Sequence, residues 1–185
     1  MPLIQRKLAL MGYPGVGKSS LAQRFVNGHF PNSYDTTIED YHSKDGLSFN
    51  GDSYNLAIID TAGQNEYSLF PRSCSVDVDG YILVYAINSK PSFDILRVIR
   101  DKILDNVGLD RVPMLVVGNK QDMQHREREV SAEDLKDLVA DFRCPAIEVS
   151  AFENRKVEEI FTRILYEIEL SRGNIRKKEQ NCLLS

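Results

Sequence analysis

No stretch of this 185-residue chain is apolar for long enough to span a bilayer, so any membrane contact is expected to be peripheral. Basic charge is not in excess either: 23 Lys and Arg against 27 Asp and Glu leave a net charge of -4. Nucleic acid is thereby excluded as a partner, since phosphate binding over an extended surface needs a basic face. The three cysteines are an odd number without regular spacing, and no secretory leader precedes Leu8. That pattern predicts a reducing, cytosolic compartment rather than a disulfide framework, with Cys74 and Cys144 as partly buried thiols. Met1-Pro2 offers no second-position glycine for N-myristoylation. Internal repeats are absent, and the length leaves no room for a second folded domain. A content of 42% hydrophobic and 27% charged residues fits one soluble globular core, expected as a monomer.

What the chain does have is three short runs in a fixed order. The first, Gly12-Tyr13-Pro14-Gly15-Val16-Gly17-Lys18-Ser19, follows the apolar Leu8-Ala9-Leu10-Met11 and precedes the helical spacing of Leu21, Phe25 and Val26. Strand, glycine loop and helix start form a phosphate cradle: glycines let successive N–H groups converge, and the helix adds its positive dipole end. Gly15, Val16, Gly17, Lys18, Ser19 and Ser20 are the expected phosphate contacts, with Lys18 reaching the β- and γ-phosphates and Ser19 holding Mg²⁺. A bare glycine turn has no use for Lys-Ser at those positions. The run alone does not separate ATP from GTP, or a kinase from a switch.

Asn119-Lys120-Gln121-Asp122 makes that separation. It ends the apolar run Met114 to Gly118, so it sits at a strand's carboxyl end, where open α/β sheets bind ligands. A carboxylate at Asp122 accepts from guanine N1–H and from the exocyclic amine together. Adenine presents a lone pair and no amine there, a loss of roughly 1–3 kcal/mol or more. Between the two runs lies Asp60-Thr61-Ala62-Gly63-Gln64, ending the alternating Tyr54 to Ile59. Asp60 is placed for a contact to Mg²⁺ through its hydration shell, Gly63 for a backbone N–H to the γ-phosphate, and Gln64 to orient an attacking water.

Together these motifs resemble the Ras-type small GTPases from Leu8 to about Arg172. Gly12-Tyr13, Glu66-Tyr67-Ser68-Leu69-Phe70-Pro71 and Gly80-Tyr81-Ile82-Leu83-Val84-Tyr85 make the chain most similar to the Rheb branch, the Ras homologue enriched in brain. The resemblance implies a P-loop G domain over residues 1–172, an α/β fold with a six-stranded, mostly parallel sheet carrying one antiparallel strand, and helices on both faces. It implies GTP and GDP as ligands and slow conversion of GTP to GDP and phosphate. A nucleotide-sensing segment is implied at Tyr34-Asp35-Thr36-Thr37-Ile38-Glu39, with Thr37 a ligand to magnesium and the γ-phosphate, although the family's usual Pro is Thr36 here. Independently, residues 29–40 make a long irregular stretch for a compact domain, and such loops are functional or disordered.

In the same likeness Tyr34 shields the γ-phosphate and weakens the role of Gln64, so that Gln64, Tyr34 and Lys18 are the candidate catalytic residues. Ser150-Ala151 supports the guanine ring, Ala151 through its N–H to O6. Pro14 departs from the family: it fixes φ and removes one N–H from the cradle, leaving the other donors. No arginine is placed by motif to act in cis, so unassisted hydrolysis is expected on the order of 10⁻⁴ to 10⁻² per second. The implied partners are a tuberin-type activating protein and, as effector, the target-of-rapamycin kinase complex. A Ras-type growth-signalling GTPase, or a module that binds GTP with negligible hydrolysis, stays open beside this reading; an ATP-using phosphotransferase conflicts with Asp122.

Residues 173–185 read as a flexible tail ending Cys182-Leu183-Leu184-Ser185, which matches a farnesylation signal and implies a prenyltransferase. One lipid chain binds membranes reversibly, and Arg172, Arg176, Lys177 and Lys178 are diluted by Glu179, so dwell on endomembranes (lysosome, Golgi or ER) is expected to be transient. Along the chain, strands are predicted at 7–12, 41–49, 53–60, 80–87, 112–118 and 145–150, and helices at 18–27, 92–106, 131–141 and 156–172. Asn50-Gly51 signals a hairpin between the second and third strands. Ser131 to Asp134 resembles a helix cap, Gly173 a helix stop, and Val157, Ile160, Phe161, Ile164, Leu165 and Ile168 one buried face.

Overall fold

The computed structural model describes residues 3–33 and 35–175; Tyr34 and Cys182 lie outside the described residues. Strands β1 (Leu3–Gly12), β2 (Glu39–Phe49), β3 (Asp52–Thr61), β4 (Gly80–Ala86), β5 (Met114–Asn119) and β6 (Ala146–Glu148) form one sheet in the order β2-β3-β1-β4-β5-β6. Only the β2–β3 pair is antiparallel, joined by Asn50 and Gly51 with φ of 52° and 90°, the two positive values that a tight hairpin turn demands. The expected mixed sheet is therefore present.

Among the described residues, five α-helices cover the sheet: α1 (Lys18–Asn27), α2 (Lys90–Asp94), α3 (Leu96–Val107), α4 (Ala132–Phe142) and α5 (Val157–Ser171). Successive β1 residues point to opposite faces. Leu8 and Leu10 enter a core with Leu21 and Phe25 of α1 and Phe161, Ile164 and Ile168 of α5, while Ala9 and Met11 enter a second core with Ile99 and Ile103 of α3 and Leu138 of α4. The six α5 positions expected on one face are all buried. No helix among the described residues is long and apolar enough to cross a membrane.

Strand β1 begins at Leu3, four residues before the sequence reading, and three other elements differ from it more instructively. The single helix expected over 92–106 begins earlier, where the Ser89 side chain accepts from the Ser92 N–H, and divides at Ile95, whose N–H is shared between the Phe93 and Pro91 carbonyls. Strand β6 stops at Glu148 because Ser150 pairs back on Arg155 instead, by N–H to O bonds of 3.1 and 2.9 Å. The ladder of β2 on β3 slips between Lys44 and Leu47, around Gly46 at φ 72°. The cap at Ser131 is a reciprocal box with Asp134, and Gly173 at φ 75° follows the end of α5.

This topology positions the site. The chain runs from β1 to β2 and β3 on one side and continues from β4 on the other, so the loop after β1 stands at the switch point of the sheet. In register, Leu10 lies beside Asp60, Gly12 beside Val84 and Ala86 beside Asn119, which brings all three motifs to one edge.

At the other end, the buried Glu169 carboxylate accepts from Arg6 Nε at 2.7 Å and from Asn174. Burial pushes that carboxyl up, but these two donors and the guanidinium charge outweigh it and hold it below its ordinary range. Arg6→Met would strand the charge, and denaturant unfolding is expected to show a loss of about 3 kcal/mol.

Candidate functional site

The motifs converge on a cavity of about 580 Å³, lined at one end by Gly15, Gly17, Lys18 and Ser19 and at the other by Lys120, Asp122 and Phe152. Thr37, Gly63, Ser20, Asn119 and Ala151 also line it. Val16, Asp60, Gln64 and Ser150 are not among the lining residues, each being at most 3% exposed. A volume of this size suits a small-molecule ligand.

Two glycines of the first run are steric requirements. A Cβ on Gly12 would lie 2.2 Å from the Val84 carbonyl oxygen, and one on Gly17, at φ 97°, would lie 2.3 Å from Asn119 Nδ2. Asn119 is at that spot because its Nδ2 donates to the Val16 carbonyl at 2.9 Å while its Oδ1 accepts from the Ala151 N–H at 3.1 Å. One amide thus ties the first loop to the last. The Ala151 N–H expected to face a ring oxygen is the one engaged here by Asn119.

Asp122 is oriented by a neighbour: its Oδ1 accepts from Ser150 Oγ at 2.7 Å. Lys120, at φ 66°, turns the chain between Asn119 and Asp122. The wall around this end includes residues that the sequence did not flag. Phe30 meets Phe152 edge to face at 5.6 Å, and Arg24 spans from α1 to the Ala151 and Phe152 carbonyls at 3.0 and 2.8 Å. The available signal was two aromatic residues in otherwise polar loops, too common to single out.

At the Lys18 end, Lys18 Nζ donates to the Gly12 and Tyr13 carbonyls at 3.2 and 3.3 Å. Burial pulls its pKa down to about 8, opposed by the charge of Asp60. The hydroxyls of Ser19 and Thr37 are 2.7 Å apart, although they lie 18 residues apart in the chain. Asp60 is fully buried, and neither carboxylate oxygen has a hydrogen-bond partner among the described residues. Two hydroxyls and an orphaned carboxylate are hard oxygen donors that fit magnesium, which takes few protein ligands and completes its shell with water and phosphate. No cluster of three or more His, Cys, Asp or Glu side chains among the described residues offers a protein-only cage.

The segment after Asp60 is tied down on several sides. Thr61 Oγ1 donates to Leu10 O at 2.7 Å, Ala62 N–H to Ile38 O at 3.0 Å, and Gln64 N–H to Gly12 O at 2.9 Å. Gly63 meets Pro14 so closely that a Cβ would fall 2.5 Å from the proline Cα and Cγ. Beyond it, Lys102 Nζ gathers the carbonyls of Asn65, Glu66 and Ser68 at 3.3, 2.9 and 2.8 Å, leaving Tyr67 and Leu69 exposed.

Comparison with known proteins agrees with the motifs. A model of the Ras family matches residues 7–170. The chain is 46% identical over 177 residues to GTP-binding protein Rheb homolog 1 of Caenorhabditis elegans, covering 96% of this chain and 84% of that protein. It is 45% identical to human GTP-binding protein Rheb over 96% of this chain and 95% of that one. Against the GTP-binding protein Rheb homolog of Drosophila melanogaster it is 46% identical over the full length of both.

The depressed Lys18 pKa has a measurable consequence. An unfolded lysine keeps its proton to about pH 10.4. In the folded protein, charged Lys18 therefore opposes stability below about pH 8, and this penalty fades as pH rises toward the unfolded value. A polyphosphate bound against Lys18 would favour the charged form, so its binding above pH 8 would draw a proton onto Lys18. Titration of ligand-stripped protein with GDP at pH 8.5, in two buffers of different ionisation enthalpy, is expected to report uptake of roughly half to one proton. Lys18→Arg should abolish the uptake, because a guanidinium stays protonated.

Proposed function

This chain belongs to the Ras family, and on that premise we propose that it is a guanine-nucleotide switch of the Rheb type that hydrolyses GTP slowly to GDP. One observation carries the reading: Asp122, held by Ser150, shares a cavity with Lys18 and Ser19, so a base reader and a phosphate grip stand at opposite ends of one ligand-sized space. The names of the relatives, all GTP-binding proteins, support the same ligand.

The roles follow from the donors and acceptors. Asp122 accepts from the guanine edge, leaving one oxygen unengaged by Ser150 for that purpose. The backbone of Gly15 to Ser20 and the Lys18 ammonium bind the phosphates, and Ser19, Thr37 and Asp60 hold Mg²⁺. Magnesium held there would neutralise phosphate charge. Thr37 and Gly63 sense the γ-phosphate, and loss of that group releases the loops that carry them, so effectors read loop shape. A tuberin-type protein is the expected activator and the target-of-rapamycin kinase complex the expected effector. Cys182 is the proposed farnesyl site for reversible endomembrane contact, with residues 173–185 acting as the tail.

For hydrolysis, the burial of Gln64 supports the Rheb-like reading, in which Tyr34 shields the γ-phosphate and the role of Gln64 is weakened. Slow turnover accords with Pro14, which offers the loop no N–H and packs so closely on Gly63 that a Cβ there would not fit.

Two substitutions test this. Asp122→Asn replaces an acceptor by an amide that donates to the C2 oxygen of xanthine, so competition binding should show preference moving from GDP to XDP by roughly tenfold or more. Unchanged guanine preference would remove Asp122 from base recognition. Gln64→Leu should leave activator-stimulated single-turnover hydrolysis within about tenfold of the unsubstituted rate, small against the 10³ to 10⁵ that activating proteins provide. Complete loss of stimulation would favour a Ras-like role for Gln64.

A further inference from the structure

Asp60 presents a problem that the proposed magnesium contact solves only in part. An ionised carboxylate has two oxygens and about four lone-pair sites, and here both oxygens are buried without a hydrogen bond among the described residues. Uncompensated burial of that kind is costly and calls for partners. The Lys18 ammonium supplies charge from the loop side, where its bonds go to carbonyls. A second group approaches from the adjacent strand. His42 on β2 directs Nε2 toward Asp60 Oδ2 at 3.9 Å, and this nitrogen is itself buried without a partner. Two unpaired polar atoms of complementary type thus face each other across the β2–β3 ladder, in which Asp40 pairs with Asp60 and His42 with Ile58.

We propose that His42 is a positioning residue for the magnesium site, an inference that rests on the reading of Asp60 given above. The carboxylate can only accept, so the ring atom facing it carries the hydrogen. A separation of 3.9 Å exceeds a hydrogen bond, and a modest rotation of either side chain closes it. The Nε2–H then engages Oδ2 and leaves Oδ1 for the cation's shell. Outer groups of this kind orient the acids that serve a metal. The link also joins two chain segments: His42 continues the run that carries Thr37, so holding Asp60 from β2 favours the arrangement in which Thr37 stands beside Ser19.

A filler ring would explain the packing of His42 equally well, and the test separates the two roles. Full-length protein is loaded with a fluorescent methylanthraniloyl GDP, and release is followed against free Mg²⁺ and again in excess EDTA. His42→Phe keeps the ring and removes the donor, whereas His42→Gln restores a donor at similar reach. Directly bonded outer groups cost about 10- to 100-fold in metal affinity; His42→Phe is expected to raise the half-protecting Mg²⁺ about three- to tenfold, with His42→Gln within about twofold of the unsubstituted protein. In EDTA all three should release at one rate. Equal Mg²⁺ dependence of Phe and His, equal impairment of Phe and Gln, or faster release by Phe in EDTA would each overturn the proposal. Release from the unsubstituted protein that ignores Mg²⁺ would instead overturn the magnesium reading itself, and this inference with it.

Discussion

The side chain of Asn119 is the tie on which the site depends. It sits at the end of β5, donates to Val16 in the loop after β1, and accepts from Ala151 beyond β6. Both bonds are buried, so neither has water as an alternative partner, and losing one would leave a main-chain group orphaned at a cost of about 1–3 kcal/mol. That tie explains a constraint elsewhere: Gly17 must lack a side chain because the Asn119 amide occupies the space. Loops separated by more than a hundred residues are therefore fixed relative to one another before any ligand binds. Such preorganisation reduces what a ligand must spend on ordering them.

Around this tie the charges are arranged in opposition to stability. Lys18 and Asp60 are both buried, and neither finds a full complement of partners: the ammonium rests on two carbonyls and the carboxylate on none. A site built only for folding would have replaced them with apolar groups. Their persistence in a packed interior makes sense if a polyphosphate and a cation complete the set, each satisfying the group of opposite sign. The protein thus carries an electrostatic deficit at one edge of its sheet, and the ligand that removes it is also the one that stabilises the fold by mass action.

Much of this was legible in the chain because the motifs are local. Gly12 to Ser19 encodes a strand, a turn and a helix start in eight residues, and Asn50-Gly51 encodes a hairpin in two. The Ser131 box and the α5 face were equally local. What escaped depended on distant neighbours. The division at Ile95 follows from a shared donor that periodicity does not register, and β6 ends early because Ser150 prefers Arg155. Phe30 and Phe152 make one wall from two distant parts of the chain, with Arg24 bonded to the Phe152 carbonyl. Gln64 reads as a water-orienting residue by motif, and its burial, which follows from how Gly63 packs on Pro14 and how Gln64 N–H anchors to Gly12, is not written in that motif.

That packing bears on how the two loops proposed to sense the nucleotide communicate. Ile38 and Ala62 are joined by a main-chain bond of 3.0 Å, and Glu39 accepts from Ser73 Oγ at 2.7 Å, so the Thr37 segment and the Gly63 segment are attached to each other as well as to the cavity. Pro14 then presses on Gly63 from the phosphate loop, and Lys102 holds the following residues by three carbonyls. A displacement at either loop must therefore break bonds at the other, which is the condition for a two-state response rather than independent motion. The exposed Ile38, Tyr67 and Leu69 lie on these same segments. A partner that reads them reads both loops at once, and its affinity for the two nucleotide states can differ only by as much as this shared attachment changes between them.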